Sequence, residues 1–235
     1  MLENLNQDDN NIEQNNKPKT LKQEVIEFFK DLVIIIIIVL FVRTFLILPF
    51  QISWQSMYNN YYDREFIIVD RFSYLTYKKP ARWDVIVFNT HIDWKEYFIK
   101  RIIGLPGETL KIQSGSVFVK AVWSNEFVEL DEKYLMEWNY KATFVRWDSS
   151  EKIYEIPENS YFVMWDNRNA STDSRACFSS CDISWKSNFI LKKDIVWKVF
   201  IDLWYFNFKN FSFTQPNLGI DTKPRWFSSP SSYEY

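Results

Sequence analysis

Two adjacent cations sit inside an otherwise apolar and aromatic run, Tyr97-Phe-Ile-Lys-Arg-Ile-Ile103. In a strand, alternation sends Lys100 and Arg101 to opposite faces, so one cation faces inward unless the strand lies at an edge. A lysine amine taken out of water loses the solvation of its charged form, and its pKa falls. A neutral amine can take the proton of a serine hydroxyl and make the oxygen a nucleophile. Serine–lysine pairs are a variant of the serine-hydrolase arrangement. The pattern alone fits an edge strand guarded by Lys and Arg more readily than it fits a base. The candidate nucleophile, Ser56, lies in the segment Phe50-Gln-Ile-Ser-Trp-Gln-Ser-Met57, and a lone serine is ordinarily a solvated loop hydroxyl. A Ser-His-Asp triad would need His91, the single histidine, in Thr90-His-Ile-Asp-Trp-Lys95, which reads as a hairpin tip. The Ser-x-x-Lys spacing fails because Asn59 stands at that offset. One histidine and two cysteines exclude a four-ligand Cys/His zinc cluster. No metal and no organic cofactor is expected.

Elements must hold such a pair. Residues 1–24, polar and rich in Asn and Gln, read as a disordered arm. Leu32 to Val42 is eleven consecutive apolar residues, and Phe45 to Phe50 adds six more. Phe28 to Leu48 spans 21 residues, long enough to cross a bilayer, and a single transmembrane helix is expected over 25–49. A buried soluble helix fits less well, because the Ile run has no polar face. A cleaved signal peptide lacks a small-x-small site, since only Phe-Leu-Ile-Leu-Pro-Phe follows. Lys17, Lys19, Lys22 and Lys30 precede the apolar run and only Arg64 follows closely, which puts the N-terminus in the cytoplasm and the remainder outside.

That remainder reads as mainly β. Phe66–Asp70, Asp84–Phe88, Tyr97–Ile103, Thr109–Ile112, Val117–Val119 and Tyr161–Met164 are short β-branched or aromatic runs bounded by turn residues. The β domain is expected over 50–205, with a weakly patterned insertion at about 121–150 and a loosely structured tail over 206–235. Lys plus Arg total 28 against 30 Asp plus Glu, a net charge of -2, which disfavours a nucleic-acid partner. Glycine is scarce: 4 of 235 residues, where roughly 7% is ordinary. Tryptophan is abundant at 11. Few β-rich domains could make their turns with four glycines.

Four blocks in order give the chain a resemblance to bacterial type I signal peptidase, a membrane-bound Ser–Lys serine protease, over roughly residues 30–200. They are the apolar run leading into Pro49-Phe-Gln-Ile-Ser-Trp-Gln-Ser-Met57, then Arg82-Trp-Asp-Val-Ile-Val-Phe88, then Tyr97 to Glu108 with its Gly104-Leu-Pro-Gly107, and finally Tyr161-Phe-Val-Met-Trp-Asp-Asn-Arg-Asn-Ala-Ser-Thr-Asp-Ser-Arg175. The resemblance implies a signal-peptidase-like β domain behind the helix, with Ser56 as nucleophile and Lys100 as general base. It implies that Ser171 orients the lysine amine. The Ser56 backbone N–H would serve the oxyanion, with Trp54 at the position of a second donor. Arg82, Asp84, Asp166, Arg168, Asp173 and Arg175 would form a structural charge network. Substrates would be exported preproteins cut after a small-x-small motif. The partners would be the lipid bilayer of the bacterial cytoplasmic membrane and the nearby secretion translocon.

The departures follow one pattern. Trp54, Trp83, Trp165 and Trp197 each stand where the family usually carries glycine. One explanation covers all four and the composition: a genome in which UGA encodes glycine, read here as tryptophan. A second departure, Asn59-Asn60 in place of Pro-Thr, is expected to relax the turn after the nucleophile. Cys177 and Cys181, outside the membrane on this topology, are equally compatible with a disulfide and with two thiols. The competing readings are a catalytically inactive membrane-anchored β domain that binds exported chains, if the tryptophans are genuine, and a specialised Ser–Lys processing protease.

Overall fold

A computed structural model of the chain describes residues 20–42, 47–53, 57, 60–70, 74, 79–89, 97–145, 150–168, 172–179, 181, 187–207, 209–213 and 225–226. It divides into two compact units, Met1–Phe45 and Leu46–Tyr235.

The first unit holds one helix, α1 (Leu21–Phe41). At its start the Thr20 backbone N–H donates to Gln23 Oε1 (3.0 Å), which satisfies a donor that the helix cannot. Among the described residues no helix is long and apolar enough to cross a membrane. The reason is visible along α1. Glu24, Glu27, Lys30 and Asp31 occupy its first half, and the apolar stretch Leu32–Phe41 rises only about 15 Å, half of a hydrocarbon core. The expected 25–49 helix is therefore corrected at both ends. The helix begins at Leu21, and residues 47–51 are strand. Pro49 explains the second change, because its ring and missing N–H exclude it from a helix interior and push Leu48 to extended backbone.

The second unit is built from strands, as expected for a mainly β fold. In order they are β1 (Ile47–Gln51), β2 (Phe66–Asp70), β3 (Val85–Asn89), β4 (Tyr97–Gly104), β5 (Thr109–Gln113), β6 (Ser116–Lys120), β7 (Val128–Glu129), β8 (Lys152–Glu155), β9 (Ser160–Met164), β10 (Ile190–Leu191), β11 (Ile195–Trp204), β12 (Phe206–Asn207), β13 (Ser212–Phe213) and β14 (Arg225–Trp226). The large sheet runs β1-β2-β11-β3-β4-β9-β10, with β14 also on β11. Pro49 sits on its edge strand, where a missing N–H interrupts no interior ladder. The small sheet runs β7-β6-β5-β8.

Burial follows pattern. β5 and β6 alternate, covering one apolar cluster with Leu110, Ile112, Val117 and Val119. The Gly115 turn between them needs glycine, since φ is +82° and a Cβ would stand 1.9 Å from the Lys141 carbonyl oxygen. β3 and β9 are buried on both faces and read as continuous apolar runs. One face of the large sheet carries Ile52, Met57, Ile67, Val69, Val85 and Val87. The other carries Ile86, Phe88, Ile102, Tyr161 and Val163. β4 lies between β3 and β9, with Lys100 opposite Ile86 and Arg101 opposite Val85 and Met164. It is an interior strand, so an edge guarded by cations is not what Lys100 and Arg101 form.

Two segments are more ordered than their sequence suggested. Within 121–150, β7 pairs β6, and the Leu130 N–H donates to the Val117 carbonyl (2.8 Å). Beyond 205, β12 pairs β13, while Arg225 and Trp226 pair with β11.

Candidate active site

Interior placement of β4 forces a choice on its two cations, and each resolves it differently. Arg101 is neutralised. Its Nε donates to Asp166 Oδ1 (2.8 Å) and its Nη2 to Asp166 Oδ2 (2.6 Å). Its Nη1 donates to the Trp83 carbonyl (2.9 Å), and the guanidinium lies 4.2 Å from the centre of the Tyr134 ring. Burial opposes the cation most strongly, but the charge and hydrogen bonds of Asp166, together with Tyr134 and Tyr61, outweigh it in sum and hold the guanidinium protonated.

Lys100 has no such partner among the described residues. It is 1% exposed. Its Nζ donates to the neighbouring Ile99 carbonyl (3.1 Å). Among the described residues three rings lie against it: Trp165 at 3.4 Å, Phe98 at 5.0 Å and Phe88 at 5.9 Å from Nζ to ring centre. Burial pushes the amine well below the ordinary lysine range, and the Asp173 charge, the smaller effect, pulls the other way. An uncharged amine in a dry pocket is a proton acceptor, the chemistry the serine–lysine reading requires.

Ser56, Trp54, Ser171 and His91 lie outside the described residues. Their flanks are placed. Ile52 and Met57, on either side of Ser56 in sequence, are buried in the cluster of Val85 and Val87, against which Ile99 also packs. Asn60 donates from Nδ2 to Asp166 Oδ2 (2.8 Å) and to the Tyr134 carbonyl (3.0 Å). The turn after Ser56 is thus tied to the carboxylate that holds Arg101. Where relaxation of the turn is expected, the Asn60 amide instead adds two bonds.

Beside the Arg101–Asp166 pair, the other charged residues expected in the network fall in four further groups. Arg82 Nη2 meets Glu108 Oε1 (2.5 Å), and its Nη1 donates to the Ile103 carbonyl. Asp84 accepts from Lys198 Nζ (2.6 Å), the Tyr74 hydroxyl (2.6 Å) and the Ala81 N–H (2.9 Å). Arg168 pairs with Glu132 through a fully buried side chain, its Nη2 also donating to the Tyr134 hydroxyl (2.6 Å). Asp173 takes Arg175 Nε (2.9 Å) and Nη2 (2.8 Å), together with the Trp165 N–H (3.3 Å). Arg175 then reaches the Arg168 carbonyl (2.7 Å). Among the described residues no cluster of three His, Cys, Asp or Glu could hold a metal ion.

Sequence reasoning missed Glu132 and Tyr134, which come from the insertion and close the Arg101 and Arg168 pairs. A lone Glu and Tyr in an unpatterned segment carry no signal of that role. It left Cys177 and Cys181 open, and they are joined in a disulfide. The tryptophans are placed unequally. Trp83 has φ of +72°, a conformation that a bulky side chain rarely adopts. Trp165 donates from Nε1 to the Thr172 carbonyl (2.6 Å) while covering the Lys100 amine. Trp197 is wedged beside Phe50 (4.9 Å) and Tyr97 (5.1 Å).

Comparison with known proteins agrees with the four blocks. The family described as "Signal peptidase, peptidase S26" matches residues 25–204. Signal peptidase I P of Bacillus subtilis subsp. natto is 34% identical over 165 residues, covering 68% of this chain and 83% of its own. Signal peptidase I S of Bacillus subtilis (strain 168) is 30% identical over 178 residues, covering 72% and 90%. A crystal structure of a signal peptidase I from Enterococcus faecalis overlaps 52% of this chain and 97% of its own at 26% identity, with a TM-score of 0.37.

Proposed function

Because the chain belongs to the S26 family of signal peptidases, which are hydrolases, we propose that it cleaves signal peptides from exported preproteins by a Ser56–Lys100 dyad. In this reading the neutral Lys100 amine takes the proton from Ser56 Oγ as that oxygen attacks the scissile carbonyl. The oxyanion rests on the Ser56 backbone N–H. The lysine ammonium returns its proton to the leaving nitrogen as the C–N bond breaks, which leaves an acyl-serine. Water, deprotonated by the same amine, hydrolyses that ester. Ser171 holds the amine in line. Small side chains before the cut are accepted by shallow pockets near Ile52 and residues 84–88. The apolar side chains of Leu32–Phe41, all exposed on α1, together with the chain that follows them, hold the enzyme at the bacterial cytoplasmic membrane with its N-terminus inside. The preprotein and the lipid are then its partners, with the translocon close by.

The observation that carries this reading is the 1% exposed, ring-enclosed Lys100 on an interior strand. The test is cleavage of a preprotein in detergent. Ser56→Ala and Lys100→Ala abolish it and His91→Ala retains it; a dead His91 variant, or an active Lys100 variant, refutes the dyad.

One observation favours a second reading. The Trp165 indole lies 3.4 Å from the amine that must reach a serine. As tryptophan it suits an inactive domain that binds exported chains. As glycine it opens the space above Lys100. We assign glycine to positions 54, 83, 165 and 197 of the native polypeptide, through UGA decoding. Mass spectrometry of native peptides spanning 83 and 165 decides it, and tryptophan in either one rejects the assignment.

A further inference from the structure

The wall around Lys100 continues beyond the rings that touch it. Phe88, which faces the amine, packs edge-on against Phe178, with ring centres 5.7 Å apart at 66°. Phe178 belongs to the short loop closed by the Cys177–Cys181 disulfide. That loop has an unusual backbone. Cys177 has φ 49° and ψ 39°, and Phe178 has φ 59° and ψ 3°. Two consecutive non-glycine residues in the left-handed region persist only where their surroundings over-determine them.

The surroundings do so. The Ala176 and Phe178 N–H groups both donate to the Asp173 carbonyl (3.0 Å each). Thr172 Oγ1 donates to the Phe178 carbonyl (3.4 Å). Asn188 Nδ2 donates to the Ser174 carbonyl (2.5 Å) and lies 3.8 Å from Cys181 Sγ. The disulfide is the covalent member of this set. The segment it braces is also the one whose Asp173 side chain binds Arg175.

We propose that Phe178, locked in place by the Cys177–Cys181 disulfide, is a positioning residue that seals the outer side of the Lys100 pocket through Phe88. The proposal rests on Lys100 being the base. Phe178 touches neither substrate nor amine. It keeps water from the apolar side of the pocket and so preserves an uncharged lysine at neutral pH. β3 presents Ile86 and Phe88 to that side, and residue 165 presents its ring. Asp173, paired with Arg175, is the charged group among the described residues whose field reaches the amine. Without Phe178, water enters, the ammonium is better solvated, and a smaller fraction of enzyme holds a free amine at a given pH.

The experiment is the pH dependence of preprotein cleavage by the full chain in detergent. Phe178→Ala moves the acidic limb of kcat upward by about one pH unit, and kcat measured on that limb falls about tenfold, because well below the pKa one unit changes the neutral fraction tenfold. KM stays put, and Phe178→Leu restores the profile. Reducing the unmodified enzyme with a phosphine, which converts the disulfide to two thiols, moves the limb the same way; Cys177→Ser with Cys181→Ser repeats it where that variant folds. If Phe178→Ala and the reduced enzyme keep the original acidic limb, the inference is wrong even where activity falls with stability. Should Lys100→Ala remain active, the base assignment fails instead, and the two failures are told apart by that control.

Discussion

Position 83 offers a comparison in which the indole cancels. Trp83 is buried in the apolar cluster with Ile103, Leu110 and Met164, its ring 5.3 Å from that of Tyr134, and its backbone is left-handed at φ +72°. Trp83→Ala and Trp83→Gly remove the same side chain and leave the same cavity, so each loses about 3–5 kcal/mol of packing. They differ only in backbone. At an ordinary position alanine is favoured over glycine by about 0.4–1 kcal/mol, because the unfolded glycine chain has more freedom to lose. At a left-handed position alanine's Cβ meets the following carbonyl, which costs about 1–2 kcal/mol. The second effect is the larger, so the glycine variant is expected to be more stable than the alanine variant by about 1 kcal/mol. For a unit of this size that is about 2–4 °C in melting temperature. Thermal melts of the two variants read the difference directly. Trp197, on β11 and outside the left-handed set, is the control at which alanine should win or tie. Trp204, at φ 57°, should repeat the reversal. An alanine variant equal to or more stable than glycine at 83 would refute the claim that this backbone was built for glycine.

Three further outcomes follow from the buried charges. Lys100 has a lowered pKa in the folded state, so between its ordinary and its folded value the unfolded chain binds a proton that the folded chain refuses. Stability must then rise with pH across that window and fall as pH drops toward the folded value. Lys100→Met removes this slope, and urea unfolding from pH 6 to pH 10 should show the variant gaining on the parent as pH falls; parallel curves would sink the idea. Arg101→Met strands the Asp166 carboxylate and is expected to cost about 3–5 kcal/mol, with Arg101→Met/Asp166→Asn recovering part of it, as measured by denaturant titration. Asn60→Ala removes both amide bonds to Asp166 and Tyr134, about 2–3 kcal/mol since one acceptor is charged, and a loss below half a kcal/mol would show that the link is idle.

Strands and their burial were legible because alternation is written directly in the residues. Phe66–Asp70 and Thr109–Gln113 alternate and bury one face; Tyr161–Met164 does not and buries both. The pair Lys100–Arg101 was legible as a conflict between two cations and an apolar run. Only the neighbouring strands resolve it, the preceding one at 85–89 and another at 160–164, far along the chain. Sequence could not weigh the apolar run as well. Leu32–Val42 and Phe45–Phe50 read as one segment, but Pro49 ends helical backbone and the edge of the sheet claims residues 47–51. Tertiary pairing decided that boundary. The same limit hid Glu132 and Tyr134, whose importance lies wholly in the arginines they meet.

The tryptophans show where the two kinds of information add. Resemblance singled out 54, 83, 165 and 197 without knowing any backbone angle. Among the described tryptophans the backbone singles out 83 and 204 without knowing any family. They coincide at 83, where the reason for glycine is conformational. At 165 the angle is ordinary, and what glycine would supply is room: a side chain there stands directly on the Lys100 amine. At 197 the indole Nε1 is buried without a hydrogen-bond partner among the described residues, an omission that costs about 1–3 kcal/mol and that glycine would remove. Each of these positions therefore carries its own physical ground for glycine, an angle at 83, room above the Lys100 amine at 165 and an orphaned donor at 197, even though the Trp165 indole N–H is itself bonded to the Thr172 carbonyl.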